Sequence, residues 1–380
     1  MTVEQVSDAG PSASAPLDQR LRDEIRGEGP ITFDRFMAAA LYDPDGGFYA
    51  GLPVGAEGHF WTSPHASEVF GRLIGAQVEE FWDLLDRPDR WTVVELGAAD
   101  GTLARQLVPA LSDELRRAVR YLPIESGRAG RERLEALAAE EAAVLPPLAD
   151  VADATPAGSG CVVANEVLDN VPFHRMVGSP SGVVELFVGL EGDRFATVPG
   201  PPSSARLLEL AGTLAPGEER VVSPAALDLV DRAAGLLDRG YLLFLDYAAT
   251  ADSVVHGYRA HRVVGDVLDA PGSRDITAGV DVDALTRHAR DRGWSVWGPV
   301  AQRRLLQALG IERYEREALR AQRLALDERR GLDGVRAYSE RNRMRLLTDP
   351  AGLGGLQAVC LGVRTDRGPR WATEVPNAAS

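Results

Sequence analysis

The stretch that most constrains this chain is Val93–Gly101, VVELGAADG: an apolar run ends on Glu95, turns through Gly97 and Gly101, and enters a helix. A second apolar run, Tyr121–Ser126 (YLPIES), ends on another acid, Glu125. Strand, glycine turn, helix and a second strand closing on an acid form the nucleotide-binding first half of a doubly wound sheet. Gly97 permits a tight bend and close approach of a ligand to the backbone. The helix from about Thr102 begins with N–H groups that suit an anion. Counted from Gly97, the remaining positions of a G-x-G-x-x-G fingerprint hold Ala99 and Thr102, so the dinucleotide pattern fails. S-adenosylmethionine (SAM) presents one carboxylate and needs no pyrophosphate cradle, and Glu125 is placed to accept both of its ribose hydroxyls. The candidate cofactor residues here are Glu95, Gly97, Ala99, Gly101, Glu125 and Ser126. An ordinary strand–turn–helix with an exposed acid uses the same residues, and the turn alone does not separate the two readings.

Composition removes several chemistries. All 41 basic side chains are arginine, so there is no lysine for a Schiff base, a pyridoxal anchor or a phosphate-binding loop. The formal charge of −15 argues against nucleic acid or an anionic membrane as partner. It suits a basic protein partner or a cationic ligand, and equally simple solubility. Cys161 and Cys360, the two cysteines, lie in apolar runs and read as buried free thiols, leaving no disulfide framework and no metal site. No apolar run reaches the ~18 residues of a membrane span. The first 16 residues are small, polar and partly acidic, a tail rather than a secretory signal, and a cytoplasmic protein is expected.

The chain of 380 residues reads as α/β with a mostly parallel, seven-stranded sheet. The expected strands are Thr92–Leu96, Tyr121–Ile124, Leu145–Asp150, Cys161–Glu166, Tyr241–Tyr247, Trp294–Trp297 and Leu356–Val363. A helix over Ser223–Asp238, opened by Pro224 and stopped by Gly240, precedes the fifth. The expected organisation is a tail (1–16), an N-terminal helical cover (17–90), a core (91–365) and a second tail (366–380). Insertions fall at about 171–220, 249–280 and 311–350. Within them, Phe173–Val198 reads as hairpins, Ala249–Gly279 as irregular and Ile311–Leu347 as a charged helical cover.

A second constellation is Cys161–His174, CVVANEVLDNVPFH. The strand stops at Asn165, and Glu166 follows at its carboxyl end, where open α/β sheets bind ligands. If the next residues are helical, Glu166 and Asp169 share a face. Two carboxylates can hold a guanidinium in a bidentate fork and turn one nitrogen toward a methyl donor. Glu166 is the first candidate for this role and Asp169 the second, with His174 a possible proton relay or simply a structural histidine. Asn165 and Asp169 serve equally well as caps of a turn and short helix.

Several blocks, in order, extend the argument: ITFDRFMAAALYDPDGGFYA (31–50), GHFWTSPHASEVFG (58–71), VELGAADGTL, IES, ANEVLDNVP, LFLDY (243–247), PGSRDITAGVDVDAL (271–285) and GGLQAVCLGV. Over about 31–364 the chain resembles the MidA-like SAM-dependent methyltransferases, relatives of a mitochondrial protein arginine methyltransferase. The resemblance implies a class I methyltransferase fold and methylation of an arginine on a partner protein. It implies SAM contacts from Gly97, Gly101 and Glu125, a lining from Thr62, Ser63 and Pro64, and an acceptor side formed by Asn165, Glu166 and Asp169. The chain departs from the family pattern in two places. Ala98-Ala99-Asp100 stands for Pro-Gly-Arg, and His59 and His65 stand where the cover carries acids. Altered this way, the chain could also methylate a small molecule, or bind SAM as an inactive scaffold. The oligomeric state is left open.

Overall fold

The structure is a computed structural model that describes residues 16–50, 62–249, 255–259, 262–264 and 266–374. The expected tail at 1–16 and the segment Gly58–His59–Phe60 therefore lie almost wholly outside the described residues. The chain divides into two compact units: 51–171, 226–254 and 278–380 form one, while 1–50, 172–225 and 255–277 form the other.

The first unit is built on a six-stranded sheet: β1 Trp91–Leu96, β2 Val119–Ile124, β3 Gly158–Asn165, β4 Leu237–Asp246, β5 Ser295–Ala301 and β6 Gln357–Val363. Their order is β5-β6-β4-β3-β1-β2. The β1–β2, β1–β3 and β3–β4 pairs are parallel; β4–β6 and β5–β6 are antiparallel. The stretches 160–164 of β3 and 240–245 of β4 are continuous, fully buried runs free of charged residues, the pattern of strands covered on both faces. The chain leaves β1 for β2 on one side and then returns to β3 on the other, so the order reverses at β1. That reversal opens the ligand position beyond the carboxyl ends of β1 and β3.

Helix Glu68–Leu84 packs on this sheet through Val69, Phe70, Leu73, Ile74, Val78, Phe81 and Trp82, all at helical spacing. The Ser67 hydroxyl caps it, accepting from Val69 N–H at 3.3 Å. Phe81 stacks on Tyr241 of β4 with ring centroids 4.2 Å apart.

Three expectations are corrected in this unit. The seven-strand count falls to six: Leu145–Asp150 makes one isolated bridge, at Leu148, with another just before it at Val144, because Pro146 and Pro147 supply no ladder donors. The helix expected over Ser223–Asp238 spans Pro224–Gly235, and Gly240 lies inside β4 instead of ending the helix. Gly240 pairs with Gly160 across β3 and β4, and a Cβ there would press on the Gly160 carbonyl oxygen. Residues 366–374, expected within a tail, end in helix Arg370–Glu374. Its Trp371 is buried and donates its indole N–H to Gln77 Oε1 at 2.8 Å.

The second unit carries an antiparallel sheet of five strands, Ile31–Thr32, His174–Ser179, Gly182–Glu191, Arg194–Gly200 and Glu219–Val222, with helices Leu17–Glu28 and Phe33–Tyr42. The segment read as irregular holds three short antiparallel strands in its described part, His256–Arg259, Arg262–Val264 and Asp275–Thr277. His174 belongs here. Its Nδ1 lies 2.7 Å from Glu185 Oε1 and its Nε2 3.3 Å from Asp34 Oδ2. Both ring nitrogens are taken up inside this unit, so His174 is structural and the proton-relay expectation is withdrawn.

Glu95, at the end of β1, is 5% exposed and accepts from the Tyr121 hydroxyl of β2 at 2.7 Å. Burial pushes its pKa up to about 8 despite that hydrogen bond. Between the ordinary carboxylate range and about 8, the folded chain holds a proton that the unfolded chain has lost. The stability from this group is therefore full at acid pH and is lost as pH rises through about 8. Glu95→Gln is expected to leave the acid-side melt nearly unchanged and to stabilise the protein on the alkaline side by on the order of a few kcal/mol, read by urea denaturation across pH. Gly240→Ala is expected to cost about 1–3 kcal/mol in the same assay, because the new methyl meets backbone that cannot move aside.

Candidate active site

Between β1 and helix Thr102–Leu107 the backbone turns left-handed three times, at Gly97 (φ +66°), Ala99 (φ +48°) and Gly101 (φ +77°). A Cβ on Gly97 would meet Val167 Cγ2 at 2.9 Å, so the turn packs directly against the residue after Glu166. Ala99, which has a side chain, takes a conformation that suits glycine. It is held there because its N–H donates to Glu125 Oε2 at 2.8 Å. Glu125 Oε1 accepts from Gly127 N–H at 2.6 Å. One carboxylate at the end of β2 thus clasps both its own loop and the β1 turn. Burial raises the Glu125 pKa, and these two N–H groups oppose the rise. Each oxygen retains a lone pair for a further donor. Ser126 contributes its carbonyl to Arg131, which ties down the same loop.

At the start of helix Thr102–Leu107, where an anion site is expected, Asp100 Oδ1 accepts from Thr102 N–H at 3.0 Å, so the chain's own carboxylate already takes one of the first N–H groups. Asp100 in turn faces His65, its Oδ2 3.3 Å from Nε2, and its pKa is lowered to about 2 because these hydrogen bonds outweigh its desolvation. His65 Nδ1 lies 2.7 Å from Thr62 Oγ1, and Nε2 lies 3.3 Å from Thr102 Oγ1. The two departures from the family pattern at 65 and 100 therefore sit against each other. Where the pattern carries an acid and an arginine, this chain has a histidine and an aspartate, and the two lie in contact.

At the end of β3, Glu166 has φ +57°, a strained value for a residue with a side chain. Its Oε1 accepts from Asn165 Nδ2 at 2.8 Å and from Ser63 N–H at 3.0 Å. Burial is the largest influence on its pKa and raises it to about 7; the two hydrogen bonds pull the other way and Asp169 adds to the rise. Ser63 opens the short helix Ser63–Ala66, whose Pro64 carbonyl accepts from Gln106 Nε2 at 2.8 Å. The chain after Glu166 forms a 3-10 turn, Leu168–Asn170, not an α-helical turn. Asp169 is buried on that turn. Asn165 Oδ1 is buried and accepts no hydrogen bond among the described residues.

Sequence reasoning missed Asp246. It ends β4, is buried, and accepts from Val167 N–H (3.0 Å) and Leu168 N–H (2.7 Å) through Oδ2. It therefore fixes the backbone between Glu166 and Asp169. Burial, with Asp169 close by, drives its pKa well above the usual carboxylate range. The signal was a strand ending on an acid, LFLDY, the same signal that marked Glu95 and Glu125.

The candidate residues Glu95, Gly97, Ala99, Gly101, Glu125, Ser126, Thr62, Ser63, Pro64, Asn165, Glu166 and Asp169 all belong to one unit of the chain. Among the described residues, no cluster of three His, Cys, Asp or Glu side chains could hold a metal ion, and no helix is long and apolar enough to cross a membrane.

Residues 73–300 match the family described as "Putative S-adenosyl-L-methionine-dependent methyltransferase". The mitochondrial protein arginine methyltransferase NDUFAF7 homolog of Drosophila melanogaster is 29% identical over 92% of this chain and 85% of its own length. Human mitochondrial protein arginine methyltransferase NDUFAF7 is 27% identical over 78% and 74%. A methyltransferase-like protein from Burkholderia thailandensis, solved with S-adenosyl-homocysteine bound, superposes with a TM-score of 0.79 at 28% identity, covering 94% of each chain. The cytoplasmic expectation is overturned by these relatives, which are named as mitochondrial proteins. A tail without a secretory signal did not fix the compartment. The match spans more than half of the sequence and the cofactor is SAM: the chain belongs to the S-adenosyl-L-methionine-dependent methyltransferase family.

Proposed function

We propose that this protein transfers methyl groups to an arginine guanidinium of a partner protein. The observation that carries the reading is Glu166: a buried carboxylate, strained at the carboxyl end of β3, whose pKa is raised to about 7. The relatives named as protein arginine methyltransferases support the same choice of acceptor. The reading of a small-molecule acceptor drew on His59 and His65 in the cover, and that of an inactive scaffold on the replaced loop Ala98-Ala99-Asp100. His65 faces Asp100, so two of these altered residues pack against each other, which favours the protein-arginine reading.

The residues fit SAM. Asn165 Oδ1 is a buried acceptor in want of a donor, and an ammonium is such a donor. The β1 turn carries no side chain of its own at Gly97 and is packed against Val167. On this proposal Glu125 takes the ribose hydroxyls. Glu95, Gly97, Ala99, Gly101 and Ser126 form or support the two loops, and Asn165 with Thr62, Ser63 and Pro64 lines the remainder. SAM, when bound, supplies a methyl carbon activated by a sulfonium. The protein's own task is to position the acceptor in line with that carbon and to keep water away.

Glu166 accepts an N–H of the guanidinium and turns the nitrogen lone pair toward the methyl group; it then takes the proton that the methylated nitrogen releases. Asp169 supplies the second arm of the carboxylate fork. Asp246 holds the two in register through the backbone of Val167 and Leu168. We keep as part of the proposal the class I fold assignment and a methyltransferase core within 91–365 that carries insertions.

Only ionised Glu166 can accept a proton, so kcat/KM, which reports the free enzyme, is expected to climb as pH rises through about 7. Glu166→Gln is expected to flatten that limb and lower kcat about 100-fold or more while keeping affinity for S-adenosyl-homocysteine, measured by label transfer into lysate protein and by calorimetry. Wild-type turnover in that variant would remove Glu166 from the reaction, and label appearing only in small molecules would reassign the acceptor. Gly97→Val is expected to abolish S-adenosyl-homocysteine binding, since its side chain meets Val167 at a left-handed position. Undiminished calorimetric affinity would move the cofactor site elsewhere.

A further inference from the structure

Ser63 and Gln302 are both fully buried, and neither lies near the other in sequence. The Ser63 hydroxyl donates to Gln302 Oε1 at 3.1 Å. Gln302 Nε2 donates to the Leu347 carbonyl at 3.1 Å, in the last turn of helix Gly331–Thr348. The backbone N–H of Gln302 donates to the Leu356 carbonyl at 2.6 Å, just before β6. These bonds set which way the carboxamide faces: turned over, it would place its oxygen against the Leu347 carbonyl. Gln302 is thus anchored through backbone and side chain, and it grips the first residue of helix Ser63–Ala66. That residue's N–H is one of the two donors on Glu166 Oε1.

We propose that Gln302 is a positioning residue for Glu166, acting through Ser63: its carboxamide holds the turn that delivers a backbone hydrogen bond to the Glu166 carboxylate. The relay stands on geometry; its value for methyl transfer rests on the role proposed for Glu166. An apolar side chain at 302 would leave the Ser63 hydroxyl and the Leu347 carbonyl buried without partners, and the turn would shift to recover them. The charged groups facing Glu166 are Asp169 on the following turn and His65 on the Ser63–Ala66 helix, with Asp246 beside Asp169. The substitution touches none of these, so a change in Glu166 ionisation would report the lost Ser63 hydrogen bond. That bond stabilises the ionised form, so its loss raises the pKa.

The test is an infrared titration of the full-length protein, with the Glu166 carboxyl band assigned by its disappearance in Glu166→Gln. Gln302→Leu is expected to move the Glu166 midpoint upward by about one pH unit. Ser63→Ala keeps the N–H and removes the hydroxyl, and is expected to shift it in the same direction by less. The double variant should move it no further than Gln302→Leu alone, as for two members of one chain of contacts. A wild-type midpoint in folded Gln302→Leu overturns the proposal; if that variant does not fold, an unmoved midpoint in Ser63→Ala does so. No acceptor or methyl transfer enters the measurement, so its outcome is independent of whether the arginine reading stands.

Discussion

A carboxylate taken out of water costs several kcal/mol unless donors replace the lost hydration, and the carboxyl end of β3 is arranged around meeting that requirement for Glu166. Two donors converge on a single oxygen, one from the neighbouring Asn165 side chain and one from Ser63, 103 residues away. The geometry needs a left-handed backbone at a residue that resists it. Desolvation and strain fall on the same residue, so the surrounding structure must hold it from several directions. Val167 and Leu168 are held from β4 by Asp246, and Val167 is closed over by the Gly97 turn. The pKa near 7 follows from this balance: the donors are enough to permit ionisation and too few to make it complete.

The same device recurs across the site. Glu125 clasps Ala99 and Gly127, Asp246 clasps Val167 and Leu168, and Asp100 caps Thr102. In each case a carboxylate at a strand end or in a loop organises irregular backbone by accepting N–H groups. In a chain without lysine that carries a net charge of −15, loops are shaped by acids on amides more than by cations on carbonyls. Where arginines do take part, as Arg105 on the Asp100 carbonyl and Arg131 on the Glu125 carbonyl, they brace the loops from outside.

What could be read from sequence was whatever is encoded within a few residues. β1, β3 and β4 are short apolar runs with punctuated ends, and the turn after Glu95 announces itself through two glycines. Long-range partners were not legible. Gly240 resembled a helix stop because its true constraint, the backbone of Gly160 on the next strand, lies 80 positions away in a pairing that sequence does not display. Leu145–Asp150 carried an apolar pattern, yet its prolines leave it too few donors for a ladder. Asp246 carried the strand-end signal but not its partner, the backbone after Glu166, and Gln302 carried no signal at all for Ser63, 239 residues earlier. His65 and Asp100 each looked like an isolated departure, and their contact across 35 positions was not legible in the sequence.

The electrostatics of the site favour a cationic acceptor over a neutral one, on the proposed reading. Asp246 and Asp169 sit close enough for each charge to oppose the other, and Glu166 feels Asp169 in the same sense. A cluster that represses its own ionisation stores a preference for a positive partner. A guanidinium entering beside Glu166 relieves that repulsion and lowers the Glu166 pKa from about 7, so the carboxylate becomes fully ionised as the acceptor docks. Arginine never loses its proton unaided at neutral pH, so a base that switches on only when the guanidinium arrives meets the requirement of the reaction. A neutral small molecule would leave the cluster partly protonated and its base half-active. The burial that raises the Glu166 pKa thus serves as a filter on the acceptor.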